Sequence, residues 1–191
     1  RLGRSYFYGE DGAPKDGEKA FEWFAKAAEG DSIAGQYYLA LCYIRGIGTE
    51  KDMVRGAELL TEAADQDYLP AVCELGLCYE LGHGVEMDKG RAAELYQEAA
   101  DQDYAPAQCN LGYFYYQGIY FEENNDAAAE LFAKAAQQGY PRAQVLMGEC
   151  FENGYGVEKD LEKALELYRA AYDQHYPDGA CSLGLCYEVG M

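Results

Sequence analysis

The sequence is poor in the side chains that most covalent chemistry needs. Its serines are Ser5, Ser32 and Ser182 alone, and none stands in the Gly-x-Ser-x-Gly setting of a nucleophile elbow. Its two histidines, His83 and His175, fall in loop-like stretches with no sign of a partnered base. Carboxylates are so plentiful that no one pair stands out as an acid–base couple. These shortages argue against an enzyme and supply no catalytic residue. Basic residues are also scarce, 15 Lys and Arg against 34 Asp and Glu, for a formal charge of −19. Nucleic-acid backbones and anionic membrane surfaces would repel such a chain. A solvated acidic outer face is the plainest reading, with a basic partner as the functional one. No run of eighteen apolar residues is present, so membrane insertion is not expected. With five prolines and 49% hydrophobic residues the composition is that of a folded chain. The chain opens on Arg1, without a Met and within a helical pattern, so it reads as a fragment or processed form cut at both ends, and the lack of a visible signal peptide carries no information.

What the sequence does have is tyrosine, 19 against a single Trp, and a repeat. The stretch Leu75 to Asp88, LGLCYELGHGVEMD, has counterparts beginning at Leu39, Leu111 and Met147, a looser one at Leu2, and a last partial copy at Leu183. The small residue of the motif returns at Gly3, Ala40, Gly76, Gly112, Gly148 and Gly184, every 36 residues after a first interval of 37. A fixed period of this length marks stacked helix pairs. The first helix of each pair carries an aromatic three residues after that position (Tyr6, Tyr43, Tyr79, Tyr115, Phe151, Tyr187). It should stop at Gly9, Gly46, Gly82, Gly118, Gly154 and Gly190, where a left-handed cap suits glycine. The second helix should start after Asp16, Asp52, Asp88, Asn124 and Asp160, whose side chains can accept from first-turn N–H groups. Pro70, Pro106, Pro141 and Pro177 sit where the next first helix begins, a tolerated place for proline. His83 therefore fills a loop position held elsewhere by Ile47, Ile119 and Tyr155, and a helix-ending loop explains it better than a metal ligand.

The pattern Leu-Gly-x-x-Tyr, Gly-x-Gly, Asp, Lys/Arg-Ala and Ala-Ala at this spacing resembles the Sel-one-like repeat family, relatives of tetratricopeptide repeats. The resemblance covers the whole chain. It implies an all-α fold, a right-handed α–α superhelix (solenoid) over residues 1–191, with repeats near 1–33, 34–69, 70–105, 106–141 and 142–177 and a partial one at 178–191. It also implies that the first helices line a concave face and that the protein serves as an adaptor or scaffold for other proteins, with no cofactor.

On the first helices a stripe runs three residues before the small position and one and four after it, a shared helix face. Within it Phe7, Tyr37, Leu41, Ile44, Tyr113 and Tyr116, with Tyr8 alongside, are candidates to line a groove, and the stripe turns acidic at Glu149 and Glu152. The expectation is an acidic-rimmed face holding a protein or peptide segment that carries Lys or Arg. Packing between neighbouring helices is the competing reading, favoured for Leu77 and Leu185. The row Glu22, Glu58, Glu94, Glu130 and Glu166 lacks the oxygen-rich loop that calcium prefers and reads as a solvated ridge.

The seven cysteines fall at two repeat positions, and pairing across neighbours would give Cys42–Cys73, Cys78–Cys109 and Cys150–Cys181, each 31 residues apart. An axial offset of five residues, roughly 7.5 Å, opposes such bridges. Reduced, packed thiols are the favoured reading, and with them a cytoplasmic over a secreted or periplasmic location. A cysteine-rich, disulfide-bonded branch of the family has been linked to penicillin binding and hydrolysis, so a hydrolase of β-lactams or cell-wall peptides is the alternative function. Its cysteines bracket the end of each second helix, where this chain has Ala63-Ala64, Ala99-Ala100 and Ala135-Ala136. Truncated ends of a repeat stack would also expose apolar faces able to associate end to end.

Overall fold

Helix boundaries follow from the capping residues. The computed structural model describes residues 1–10 and 12–188. Its helices are α1 (Leu2–Tyr8), α2 (Gly17–Glu29), α3 (Ile33–Arg45), α4 (Met53–Ala64), α5 (Leu69–Leu81), α6 (Lys89–Ala100), α7 (Ala105–Gln117), α8 (Asn125–Gln137), α9 (Pro141–Asn153), α10 (Leu161–Asp173) and α11 (Pro177–Glu188). Among the described residues the expected caps are in place. The carboxylates of Asp16, Asp52, Asp88 and Asp160 and the amide oxygen of Asn124 accept from the N–H three residues on, at 2.9–3.1 Å. Gly9, Gly46, Gly82, Gly118 and Gly154 adopt left-handed conformations that end the first helices; Gly190 lies outside the described residues. The loop between the helices is fastened at its far end, because the N–H of each capping Asp or Asn donates to the carbonyl of Tyr6, Tyr43, Tyr79, Tyr115 or Phe151. These aromatics are half-buried, and the fully packed position lies one residue earlier, at Cys42, Cys78, Phe114 and Cys150.

The fold class is an all-α helical-repeat solenoid, and the chain divides into two compact units, Arg1–Leu95 and Tyr96–Met191. Within the first unit α1 packs on α2, α2 on α3, α3 on α4 and α4 on α5. Within the second, α7 to α11 pack in the same sequential way, and α9 also meets α11. That last contact brings two successive first helices side by side.

One packing rule explains the small residue of the motif. A Cβ built on Gly148 would lie 2.5 Å from the ring of Tyr168, and on Gly112 2.8 Å from that of Phe132. In the first unit Gly3 faces Phe24 in the same way, at 2.6 Å. A second-helix aromatic thus occupies the space a side chain would need. In the second repeat Ala40 replaces the glycine, and the residue in register with those rings is the smaller Leu60; both are fully buried.

Two regular features were not anticipated from the sequence. The corner after each second helix takes one left-handed residue: Asp31, Asp67, Asp103, Gly139 and His175. Glutamines also pair 30 residues apart. Gln66 donates to Gln36 at 3.2 Å, Gln138 to the buried Gln108 at 2.8 Å, and Gln174 to the buried Gln144 at 2.9 Å.

Candidate functional site

The glycine loop that holds His83 is structural. A Cβ on Gly84 would lie 2.0 Å from the carbonyl oxygen of Met53, so the loop rests directly on the backbone at the start of α4. Gly48 meets Gly17 and Gly156 meets Asn125 alike. His175 owes its place to the left-handed corner. Among the described residues no group of three His, Cys, Asp or Glu is placed to hold a metal ion, and no helix is long and apolar enough to cross a membrane. Glu22, Glu58, Glu94, Glu130 and Glu166 are all exposed, and Glu58 and Glu94 pair with Arg55 and Arg91 one turn earlier.

The candidate groove residues separate into two groups. Phe7, Leu41 and Ile44 are interior, 5%, 2% and 8% exposed, and do not line a surface. Their spacing is that of a helix face, but the face meets neighbouring helices: Phe7 lies edge-on to Phe24 at 5.8 Å, and Ile44 presses against Gly56. Tyr37 is half-buried and packs edge-on to Tyr38 and Tyr68. Tyr8 is exposed, with the Arg4 guanidinium 5.9 Å from its ring centre.

In the second unit the same stripe does build a concavity. A cleft of about 450 Å³ is lined by Tyr113 of α7, by Arg142, Val145, Leu146 and Glu149 of α9, and by Tyr176, just before α11, and Asp178, Cys181, Ser182 and Leu185 of α11. The first helices of three successive repeats therefore contribute to one site. Leu185, 64% exposed, and Cys181, also exposed, both lie on α11, the last helix of the described residues. Arg142 is fixed in the wall: its guanidinium donates to Asn110 at 2.7 Å and lies 5.5 Å from the centre of the Tyr113 ring. Tyr116 is outside the cleft lining and packs against Phe132 and Tyr155, at 6.4 and 5.7 Å.

The acidic half of the site is held from behind. The hydroxyl of Tyr168, a fully buried side chain, donates to Glu152 at 2.6 Å. Burial raises the Glu149 carboxyl above the usual carboxylate range, and the negative charges of Glu152 and Asp178 raise it further. Burial raises the Tyr176 phenol as well, helped by its hydrogen bond to Asp178. Sequence reasoning pointed to Tyr113 and Glu149 but missed Arg142, Tyr176 and Asp178, which sit at helix starts outside the stripe.

The cysteines are free thiols, and the pairs Cys42–Cys73, Cys78–Cys109 and Cys150–Cys181 are not bridged in the structure. Six of the seven are buried. Burial pushes the thiols of Cys42, Cys78 and Cys109 up to about 12 and that of Cys150 to about 11.

The Sel1 repeat pattern matches residues 1–32, 33–68, 69–104, 105–140 and 141–176. The chain belongs to the Sel1 repeat family. Among solved structures it is similar to a Sel1 repeat protein from Oxalobacter formigenes, with 32% identity and a TM-score of 0.85 over 98% of this chain and 76% of that one. It is also similar to c5321, a protective antigen of uropathogenic Escherichia coli strains with the same fold, at 30% identity and a TM-score of 0.76. There the match covers 99% of this chain and 40% of the antigen. The fold is shared with immunity protein Pa5087 from Pseudomonas aeruginosa, at 22% identity and a TM-score of 0.69, over 94% of this chain and 68% of that protein. Compared with the sequences of curated proteins, the chain has no match.

Proposed function

We propose that this Sel1 repeat chain is a protein-interaction scaffold that holds a segment of a partner protein in the cleft between α7, α9 and α11. The observation that carries the reading is the cleft itself. It combines aromatic rings at Tyr113 and Tyr176, aliphatic side chains at Val145, Leu146 and Leu185 and charged groups at Arg142, Glu149 and Asp178, the makeup of a surface that anchors a peptide. The reading is of a binding module, not an enzyme. The thiols raised to about 11 or 12 stay protonated at neutral pH and are poor nucleophiles, and Ser32 spends its hydroxyl oxygen capping α3 at Gly35.

Cys181 supplies the test, being an exposed thiol in the cleft wall while the other six are buried. Twelve-residue random peptides displayed on phage are selected on the immobilised chain, and recovered peptides are assayed by fluorescence anisotropy and by iodoacetamide alkylation of Cys181. Bound peptide should slow that alkylation, and Tyr113→Ala should weaken binding about tenfold while helicity is kept. Peptides that bind equally well to the Ala variant and leave Cys181 as reactive as before would refute the cleft as the binding site.

A further inference from the structure

We infer that the segment taken by this cleft presents a Lys or Arg side chain to Glu149 and Asp178. The inference rests on protein binding at the cleft and adds the chemistry of the partner. An occupant seated on Val145 and Leu185 also meets Glu149, which lines the same cleft one helical turn from Val145 on α9. Glu149 is already partly buried, and the charges acting on it, Glu152 and Asp178, are both negative. A neutral apolar segment would strip water from these carboxylates and return nothing, and stranding a buried charge is strongly unfavourable. An acidic segment would add like charge. Arg142, the base in the lining, does not supply the compensation. It lies seven residues from Glu149 along α9, two helical turns or roughly 10 Å, and its guanidinium is engaged by Asn110 and Tyr113.

A long cationic side chain solves both demands. Its methylene stem can lie along Val145 and Leu185, and its charged head can reach the carboxylates. A hydroxyl or amide donor would leave the covered negative charge uncompensated, whereas a cation neutralises it, so Lys or Arg is favoured over Ser, Asn or Tyr as the donor. The position of Glu152 is fixed by the buried Tyr168 hydroxyl, which keeps the negative field in place before a partner arrives.

The test uses the peptides that shield Cys181, resynthesised with each Lys or Arg replaced by Gln. It also uses Glu149→Gln, alone and with Asp178→Asn, their folding checked by circular dichroism. Glu130→Gln with Glu166→Gln on the exposed second-helix face is the control for the overall charge of −19. One peptide cation should prove decisive. Its loss and the loss of Glu149 should each weaken binding about tenfold, their combination should be little worse than either, and the control should change affinity less than about twofold. Peptides that shield Cys181 without a Lys or Arg, or an unaltered affinity in Glu149→Gln, would overturn the cationic partner and leave protein binding standing. If no peptide shields Cys181, protein binding at this cleft falls, and the cationic partner with it.

Discussion

Gly148→Ala tests the packing rule behind the repeat. The new methyl would lie 2.5 and 2.8 Å from two carbons of the Tyr168 ring, well inside contact distance. The ring is fully buried and its hydroxyl is held by Glu152, so it cannot swing aside without losing a charge-assisted hydrogen bond. Overpacking of this kind costs about 1–3 kcal/mol, and the better helix propensity of Ala returns up to ~1 kcal/mol. The net expectation is a loss of about 1–2 kcal/mol, where an unobstructed helix glycine would have shown a gain. Tyr168→Leu alone should lose about 3 kcal/mol through the cavity and the lost hydroxyl bond. Together the two changes copy the Ala40 and Leu60 of the second repeat, so the methyl should then cost nothing and the double variant should resemble Tyr168→Leu. Urea unfolding followed by circular dichroism at 222 nm gives the comparison as midpoint shifts, with about half a molar or more expected for Gly148→Ala. A Gly148→Ala protein as stable as its parent, or strictly additive effects in the pair, would refute the reasoning.

Three further outcomes follow from the same geometry. Gln108→Leu should remove the bonds of a buried amide, accepted from Gln138 and donated to Asp103 and to the carbonyl of Ala100, and cost about 1–3 kcal/mol, read as a lower urea midpoint. In native protein at pH 8, Ellman's reagent should titrate Cys181 promptly and the six buried thiols only slowly, with all seven reacting in denaturant. Glu149 sets a pH dependence: its folded-state pKa is raised above the ordinary 4.5, so between 4.5 and that raised value the folded chain binds more protons than the unfolded one, and stability falls as pH rises. Glu149→Gln should therefore be more stable than the parent at pH 7, with the gap closing below about pH 4.5 in the same urea assay.

The helix pairs were legible because their signals are local. A capping Asp or Asn, a left-handed glycine and a proline in the first turn act within a few residues; five copies agree on the first two and four on the proline. The left-handed corners could have been read as well, since Asp31, Asp67, Asp103 and Gly139 are residue types that accept positive φ; His175 hides the pattern in the last copy. The groove was legible only in part, for a physical reason. An i, i+4 stripe shows that residues share a helix face, not whether that face meets another helix or solvent. Phe7, Leu41 and Ile44 satisfy the stripe and are core. Arg142 and Asp178 do not belong to it and yet line the cleft, because their side chains start from the first turns of α9 and α11 and reach inward.

The repeat frame and the cleft are tied together by one side chain. In the first, fourth and fifth repeats the second-helix ring in register with the motif glycine also faces the first-helix residue four places after that glycine. In the first repeat Phe24 meets Phe7 at 5.8 Å, and in the fourth Phe132 meets Tyr116 at 6.4 Å, apolar ring against aromatic neighbour. In the fifth the ring is Tyr168 and the neighbour is Glu152, joined by a 2.6 Å hydrogen bond. A phenylalanine there would fill the same space over Gly148 and would leave a part-buried carboxylate without its donor. The hydroxyl is thus not needed by the fold, which accepts Phe twice in the same register; it is needed by the acid. Glu152 in turn raises the proton affinity of Glu149 at the cleft wall. The fifth repeat has therefore kept a stabilising aromatic and used its one polar atom to maintain negative charge that destabilises the free chain. Such an arrangement is coherent when a cation from outside completes it.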